Sequence, residues 1–473
     1  MGVEKVISYF KKVCSIPRAS GDEQAISDYI VSFAKERGLE VSRDSIHNII
    51  IRKPGNIKGS RPVILQGHLD MVYVKEEGCS HRYEDGIEVK EDDYYYFADG
   101  TSLGADNGIA VAYCLAILDS KDLKHPDLEV IFTVQEETGL VGAERLDISC
   151  LKGDRFINLD SEEEGVFYTS CAGGLRCRMI WNTQREIIEE KRILMKINIK
   201  DLTGGHSGIN IGKGLGNSIV LLMRLCYALK DTSARISDLE VQGKANAIAN
   251  TGRISFYVKP QEKEKAEKII KKTEQIFRTE LQYTDHVTLE VEEGAETERA
   301  EVYTQAQQKK IVDSVLLLPC GVFGYSFAID GLIETSMSIG SLTEDDGKLT
   351  LLMSIRSSVE SQKYYLRDKI QIIAEKYCDE CIFESDYPGW QYRQDSPLRE
   401  KAVALYEKLS GRKAELAAIH AGLECGYWDG KKPGMDIISV GPNLYDVHST
   451  KEKVSKQSIS NMWNWLTKLL EEL

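Results

Sequence analysis

No run of about 18 apolar residues occurs anywhere in this 473-residue chain, so no segment is a candidate for a membrane-spanning helix. Positive charge is in deficit: 60 Lys and Arg stand against 74 Asp and Glu, a formal net charge of −14. A surface for nucleic acid or anionic lipid needs a basic face, so neither partner is expected. The N-terminus, MGVEKVISYFKKVCSIPRAS, lacks the continuous apolar core of a secretory signal, because Val3, Val6, Ile7, Phe10 and Val13 recur at helical spacing. It also lacks the Ser or Thr that a myristoylation signal carries at position 6, where Val6 stands. The eleven cysteines are odd in number and scattered, which makes no disulfide framework. The one CxxC, Cys378 to Cys381, has no second pair to complete a zinc site. Reduced thiols and a cytoplasmic location are expected.

What is present is the texture of a globular chain long enough for two or three domains, with 42% apolar and 28% charged residues. Helical patterns over 3–14 and 22–37 lead into near-continuous apolar runs, RPVILQ, LEVIFTVQ and RFINLD, with the apolar helix IAVAYCLAIL between the first two. Alternating strands and helices predict an α/β domain with a largely parallel central sheet flanked by helices. From about 185 the pattern changes to half-exposed strands and one-striped helices, including a hairpin closed by TEDDG. After 395 the α/β texture returns. The expected organisation is a discontinuous domain, 1–184 with 389–473, and an inserted α+β domain, 185–388, made of two related halves.

Chemistry gathers where the apolar strands end. VILQ is followed by His68 and Asp70, VIFTVQ by Glu136 and Glu137, RFINL by Asp160, and IISVG, a loop later, by His448. Ligand sites in open α/β sheets lie beyond the carboxyl ends of the strands. A fifth candidate, Asp106 in GTSLGADNGIA, stands just before the apolar helix, where Asp also serves as a plain N-cap. Imidazoles and carboxylates without thiolates suit zinc, and also manganese or cobalt. His68, Asp106, Glu137, Asp160 and His448 are too many for one catalytic zinc and the right number for two metals sharing a bridging carboxylate. The neighbouring carboxylates of VQEETG then make sense: Glu137 is a ligand, and Glu136 beside it takes a proton from the water between the metals. Asp70, two residues after His68, is placed to orient that ring. His47, His81, His125 and His286 are expected to be structural or surface residues.

These motifs resemble the zinc metallopeptidase family that includes carboxypeptidase G, aminoacylase and carnosinase. The resemblance runs through IPRASGDE, QGHLDMV, TSLGADNGIA, VQEETG, INLDSEE, GGHSG, NAIAN, SIRSS, IHAGLECG and DVHST, in order. NLDSEE, HAGLECG, the split insertion and DVHST are most similar to its Xaa-His dipeptidase branch. The resemblance implies one metal on His68, Asp160 and bridging Asp106, and another on Asp106, Glu137 and His448. Glu136 is then the general base and Asp70 the partner of His68. The inserted domain becomes a lid, whose His206 in GGHSG would stabilise an oxyanion. Arg356 in SIRSS would bind the α-carboxylate of a short peptide, and Asn246 in NAIAN would lie near the substrate, although the branch more often reads NAIPR there. His420 and Glu424 would be pocket-wall residues of the main domain, Glu424 facing the substrate's amino group. Two zinc ions per chain and a free dipeptide, Xaa-His or β-Ala-His included, follow from the same resemblance. A tripeptidase, a carboxypeptidase or an N-acyl-amino-acid deacylase shares the metal motifs, and a non-catalytic binding protein would have lost Glu136 or a ligand. Family members often pair through the lid, some placing the lid histidine across the interface, whereas a doubled lid can supply it within one chain. A homodimer through the lid and a self-sufficient chain both stay open.

Overall fold

The computed structural model describes residues 2–473, which divide into two compact units. The first comprises the chain up to Cys171 together with Trp390–Ala418 and Leu423–Leu473. Its centre is an eight-stranded sheet in the order Glu40–Arg43, Ile49–Lys53, Leu128–Thr133, Val63–His68, Arg155–Asn158, Asp436–Ser439, Val166–Cys171 and Glu415–Ile419. The four middle strands, Leu128–Thr133 to Asp436–Ser439, run parallel, and antiparallel strands flank them. The parallel strands are buried along their whole length. This is why VIL, LEVIF and RFI read as continuous apolar runs: both faces of a parallel sheet are covered.

The helix Ala105–Asp119 is buried all round, from Ile109 to Leu118 without a break. Helices Val3–Cys14 and Gln24–Glu36 bury one stripe each, Val6, Tyr9, Phe10, Val13 and Cys14 in the first, as their spacing predicts. The C-terminal helix Lys456–Glu472 buries Ile459, Met462, Trp463, Leu466 and Leu470 in the same core. So a segment more than 300 residues beyond the helix Ala105–Asp119 completes the packing of the same core. No helix of the described residues is long and apolar enough to cross a membrane.

The second unit comprises Ala172–Gly389 and Ile419–Gly422. It holds a four-stranded sheet (Arg235–Glu240, Gly252–Val258, Arg192–Lys200, Thr288–Thr297) and a five-stranded one (Gly321–Tyr325, Ile333–Asp345, Lys348–Ser357, Gly173–Asn182, Glu380–Tyr387), both antiparallel. The TEDDG hairpin forms, with Asp345 opposite Lys348 and both turn residues, Asp346 and Gly347, at positive φ. The border falls at 172 where the sequence pattern suggested 185. Strand Gly173–Asn182 follows Val166–Cys171 with no polar turn between them, yet it pairs with Lys348–Ser357 and Glu380–Tyr387 of the second unit. His420 also belongs to the second unit, not to the main domain as expected, because Ile419–Gly422 packs there.

Leu115 has no exposed surface, inside the fully buried helix. Leu115→Ala is expected to cost about 2–5 kcal/mol, read as a lower denaturation midpoint of the first unit. An unchanged midpoint would contradict the packing described.

Candidate active site

Strand register brings the rim residues level. In the parallel pair Val63–His68 and Arg155–Asn158, Gln66 stands opposite Asn158, so two residues further on His68 and Asp160 lie side by side. In the other parallel pair His68 stands opposite Thr133, and the chain turns immediately afterwards to present Glu136 and Glu137. Gln135 makes that turn at φ 52°. Its backbone N–H is held by Glu23 Oε1 at 3.0 Å.

The geometry centres on Asp106. Its Oδ1 lies 3.1 Å from His68 Nε2 and its Oδ2 3.3 Å from His448 Nε2. Asp160 Oδ1 lies 3.3 Å from His68 Nε2, and Glu137 Oε1 lies 2.8 Å from His448 Nε2. One carboxylate thus faces both imidazoles, with a further carboxylate on each side. His68, Asp106 and Glu137 each offer a ligand atom, all within 4.8 Å of one another. Asp106 does not cap its helix through its side chain; its own backbone is non-helical (ψ 111°), and its carboxylate faces the two imidazoles.

Asp70 does more than face His68. The ring Nδ1 lies 3.1 Å from the Asp70 carbonyl oxygen and 3.4 Å from its Oδ1. The same carboxylate accepts the N–H groups of Glu136 (3.0 Å) and Glu137 (3.2 Å) and the hydroxyl of Ser20 (2.7 Å). It therefore fixes the ring and the VQEETG turn together. Beneath the rim a buried polar ladder crosses the strands. Glu424 accepts from Gln66 and, at 2.8 Å, from Thr133; Asn158 donates to Gln66 at 2.6 Å; Ser439 donates to Asn158 at 2.5 Å. Fully buried networks of this kind rigidify what they carry. Glu424 has no exposed surface and braces strands from below. Its Oε1 has no partner among the described residues.

Negative charge is in excess here. Burial pushes the Glu136 carboxyl well above the usual carboxylate range, helped by Asp160, Glu137 and Glu424. Burial takes Asp160 up to about 6, Glu162 to about 7 and Glu424 to about 8. Hydrogen bonds donated to the Asp106 and Glu137 carboxylates take His448 up to about 11. Burial opposes the charging of His68, but Asp160, Asp106 and Asp70 outweigh it and raise its pKa well above the ordinary value. Among the described residues no Lys or Arg forms an ion pair with Asp106, Glu136, Glu137 or Asp160. Two imidazoles and three carboxylates without a thiolate or a basic side chain form a donor set that fits divalent zinc, manganese or cobalt.

The second unit holds its own cluster. Arg356, 7% exposed, donates from Nη1 to the Tyr387 hydroxyl at 3.1 Å. Its Nε has no partner among the described residues. His206 Nδ1 accepts the N–H groups of Gly208 and Ile209, each at 3.2 Å, which leaves the ring proton on Nε2. Burial, with Arg356 adding, lowers its pKa. His420 Nε2 lies 2.7 Å from Ser336 Oγ, and burial, Arg356 and His206 hold its pKa down at about 4. Asn246 is exposed, and its backbone carbonyl accepts the N–H of Ser207 at 2.8 Å. Tyr387 was not singled out by sequence, and Ser20 and Glu23 lie in the quoted IPRASGDE without a role having been read for them. Their side chains meet site residues 31 to 112 positions away, so no spacing pattern marks them.

The profile of Peptidase family M20/M25/M40 matches residues 64–472, and the chain belongs to that family. It is an enzyme of the metal-dependent peptide hydrolase class. It is 34% identical over 468 residues to the cytosol non-specific dipeptidase of Escherichia coli (strain K12), covering 98% of this chain and 96% of that one. Among solved structures, aminoacylhistidine dipeptidase from Vibrio alginolyticus superposes with a TM-score of 0.93 at 35% identity, covering 99% and 96% of the two chains. A tripeptidase from Staphylococcus aureus shares the fold at a TM-score of 0.57 and 15% identity, covering 100% and 98%.

Metal and pH each give a test. Zinc at 100 times its dissociation constant is expected to stabilise the native state by about 2.7 kcal/mol. Calorimetry with zinc and then excess chelator reads this as a reversible shift in Tm that Asp106→Asn abolishes. His420 has a folded pKa of about 4, below its unfolded value of 6.5. The unfolded chain takes up that proton first, so this group removes stability as pH falls from 6.5 towards 4. An imidazole titration by NMR is expected to find His420 still neutral at pH 5.5; protonation there would refute the burial argument.

Proposed function

We propose that this chain is a dipeptidase that uses two divalent metals to hydrolyse unblocked dipeptides, Xaa-His among them. The observation that carries the reading is the Asp106 carboxylate, one oxygen towards His68 and the other towards His448, with Asp160 and Glu137 beside them. His68, Asp106 and Asp160 would hold one ion, and Asp106, Glu137 and His448 the other. When bound, the ions supply Lewis-acid polarisation and stabilise negative charge in the transition state.

The remaining work falls to side chains. Glu136 takes the proton of the attacking water at its carboxylate and delivers it to the leaving nitrogen. Its burial among carboxylates raises its proton affinity, the direction a general base requires. Asp70 keeps His68 and the Glu136 turn in place through its hydrogen bonds to both. The second unit is read as the lid. His206, neutral and with its proton on Nε2, donates to the developing oxyanion. Arg356 has an unpartnered Nε–H with which to grip the α-carboxylate of the substrate. The names of the Escherichia coli and Vibrio relatives support a dipeptide substrate, and the first supports a cytosolic location.

Zinc-loaded protein is expected to cleave Leu-His and β-Ala-His and to leave Leu-Gly-Gly and N-acetyl-Leu intact. Glu136→Gln is expected to lower kcat by about 10²–10⁴. Cleavage of the acetylated compound alone would make the enzyme a deacylase, and cleavage of the tripeptide alone a tripeptidase. An unimpaired Glu136→Gln would remove Glu136 as base.

A further inference from the structure

Four residues beyond His448, a second side chain of the same loop turns inward. Glu452 is 3% exposed and meets a segment nearly 350 positions earlier. Its Oε2 accepts the backbone N–H groups of Leu103 (2.8 Å) and Gly104 (2.9 Å). Its Oε1 accepts those of Ala105 (2.8 Å) and Asp106 (3.3 Å). These N–H groups belong to the turn that leads into the helix Ala105–Asp119, whose backbone is non-helical at Asp106 and Asn107 before its regular turns begin, and one buried carboxylate satisfies all four. No side chain within the helix caps it.

The other side of this segment is held by a cation. Arg18 has no exposed surface, and its guanidinium donates to the carbonyls of Leu69 (2.8 Å) and Asp70 (2.9 Å) and to that of Gly104. Gly104 is therefore gripped from both sides, its N–H by Glu452 and its carbonyl by Arg18. Its φ of +71° favours glycine, and a Cβ there would come within 2.6 Å of Arg18 Nη2 and of Met71 Sδ. The clamp ties the Asp106 loop to the His68–Asp70 segment on one side and to the His448 loop on the other. Those are the two imidazoles that Asp106 faces.

We propose that Glu452 is a positioning residue: acting through the backbone of residues 103–106, it sets the Asp106 carboxylate midway between His68 and His448. This rests on the reading of that cluster as a metal centre. Glu452 touches no reacting atom. It places the shared ligand and, because it rides on the His448 loop, links the position of one imidazole to that carboxylate.

Glu452→Gln keeps the shape and sets an NH2 group against two of the four N–H donors. Zinc affinity, measured by competition with a chromophoric chelator, is expected to fall 10–100-fold, the range for groups that orient metal ligands. In the zinc-saturated variant kcat is expected to fall while KM for Leu-His stays within threefold. The control is Asp436→Asn, which removes another buried carboxylate cap, holding Ser396 and the N–H of Leu398 at the start of helix Pro397–Ser410. Asp436 opens its strand, at the opposite end from the rim. Asp436→Asn is expected to lower Tm and leave zinc affinity within twofold. Glu452→Gln with wild-type zinc affinity, or with no greater loss than Asp436→Asn, would overturn the proposal. Wild-type protein that binds no zinc would overturn the metal reading itself, and the proposal with it. If Glu452→Gln does not accumulate folded, Glu452→Asp, one methylene too short to reach all four donors, is read against the same thresholds.

Discussion

A single carboxylate shared by two imidazoles imposes the strictest demand on this chain. For Asp106 to face His68 and His448 at 3.1 and 3.3 Å, segments near residues 68, 106, 137, 160 and 448 must converge within a few ångströms. Loops alone would not hold five segments to that tolerance. Parallel strands do, because their register is set by backbone hydrogen bonds: Gln66 opposite Asn158 and His68 opposite Thr133 bring three of the five to one level. The first-unit core, from the N-terminal helices to Lys456–Glu472, packs around the sheet that enforces this.

Such an arrangement works against stability at several points. Asp70, Asp106, Glu136, Glu137 and Asp160 crowd together, and burial with mutual repulsion drives Glu136 and Asp160 towards protonation, while hydrogen bonds and the facing imidazoles hold Asp70 and Asp106 below the usual range. His448 and Gln135 hold positive φ without being glycine, each costing on the order of 1–2 kcal/mol. Hydrogen bonds from elsewhere offset this strain. Asp70 holds the Glu136–Glu137 turn, Glu23 holds Gln135, Glu452 and Arg18 hold the Asp106 loop, and the Gln66–Asn158–Ser439 ladder stiffens the strand ends. In physical terms the site is a set of unfavourable placements made tolerable by a second layer of buried polar groups.

Much of this was legible in the sequence wherever one segment carried its own signal. VIL, VIF and FI announce buried parallel strands by near-continuous apolar runs, and TEDDG announces a hairpin by the positive φ that Asp-Gly accepts. Because ligand groups in such sheets sit at strand ends, His68, Glu136, Glu137 and Asp160 could be picked out, and His448 by its loop. Strand Gly173–Asn182 was misplaced because its partners lie about 170 and 200 residues downstream, so nothing local distinguishes the sheet it joins. His420 was assigned to the wrong unit for the same reason.

The sequence by itself therefore determined which His, Asp and Glu stand beyond which apolar strands, since periodicity and residue chemistry act over a few positions. Only the tertiary structure decided that Asp106 faces two histidines in place of capping its helix, that Glu452 gathers the N–H groups of the turn that carries it, and that Asp70 serves both a ring and a turn. Those choices depend on hydrogen bonds closed between residues up to about 350 positions apart. Such bonds leave no pattern along the chain because each is a single pair, satisfied once, in space.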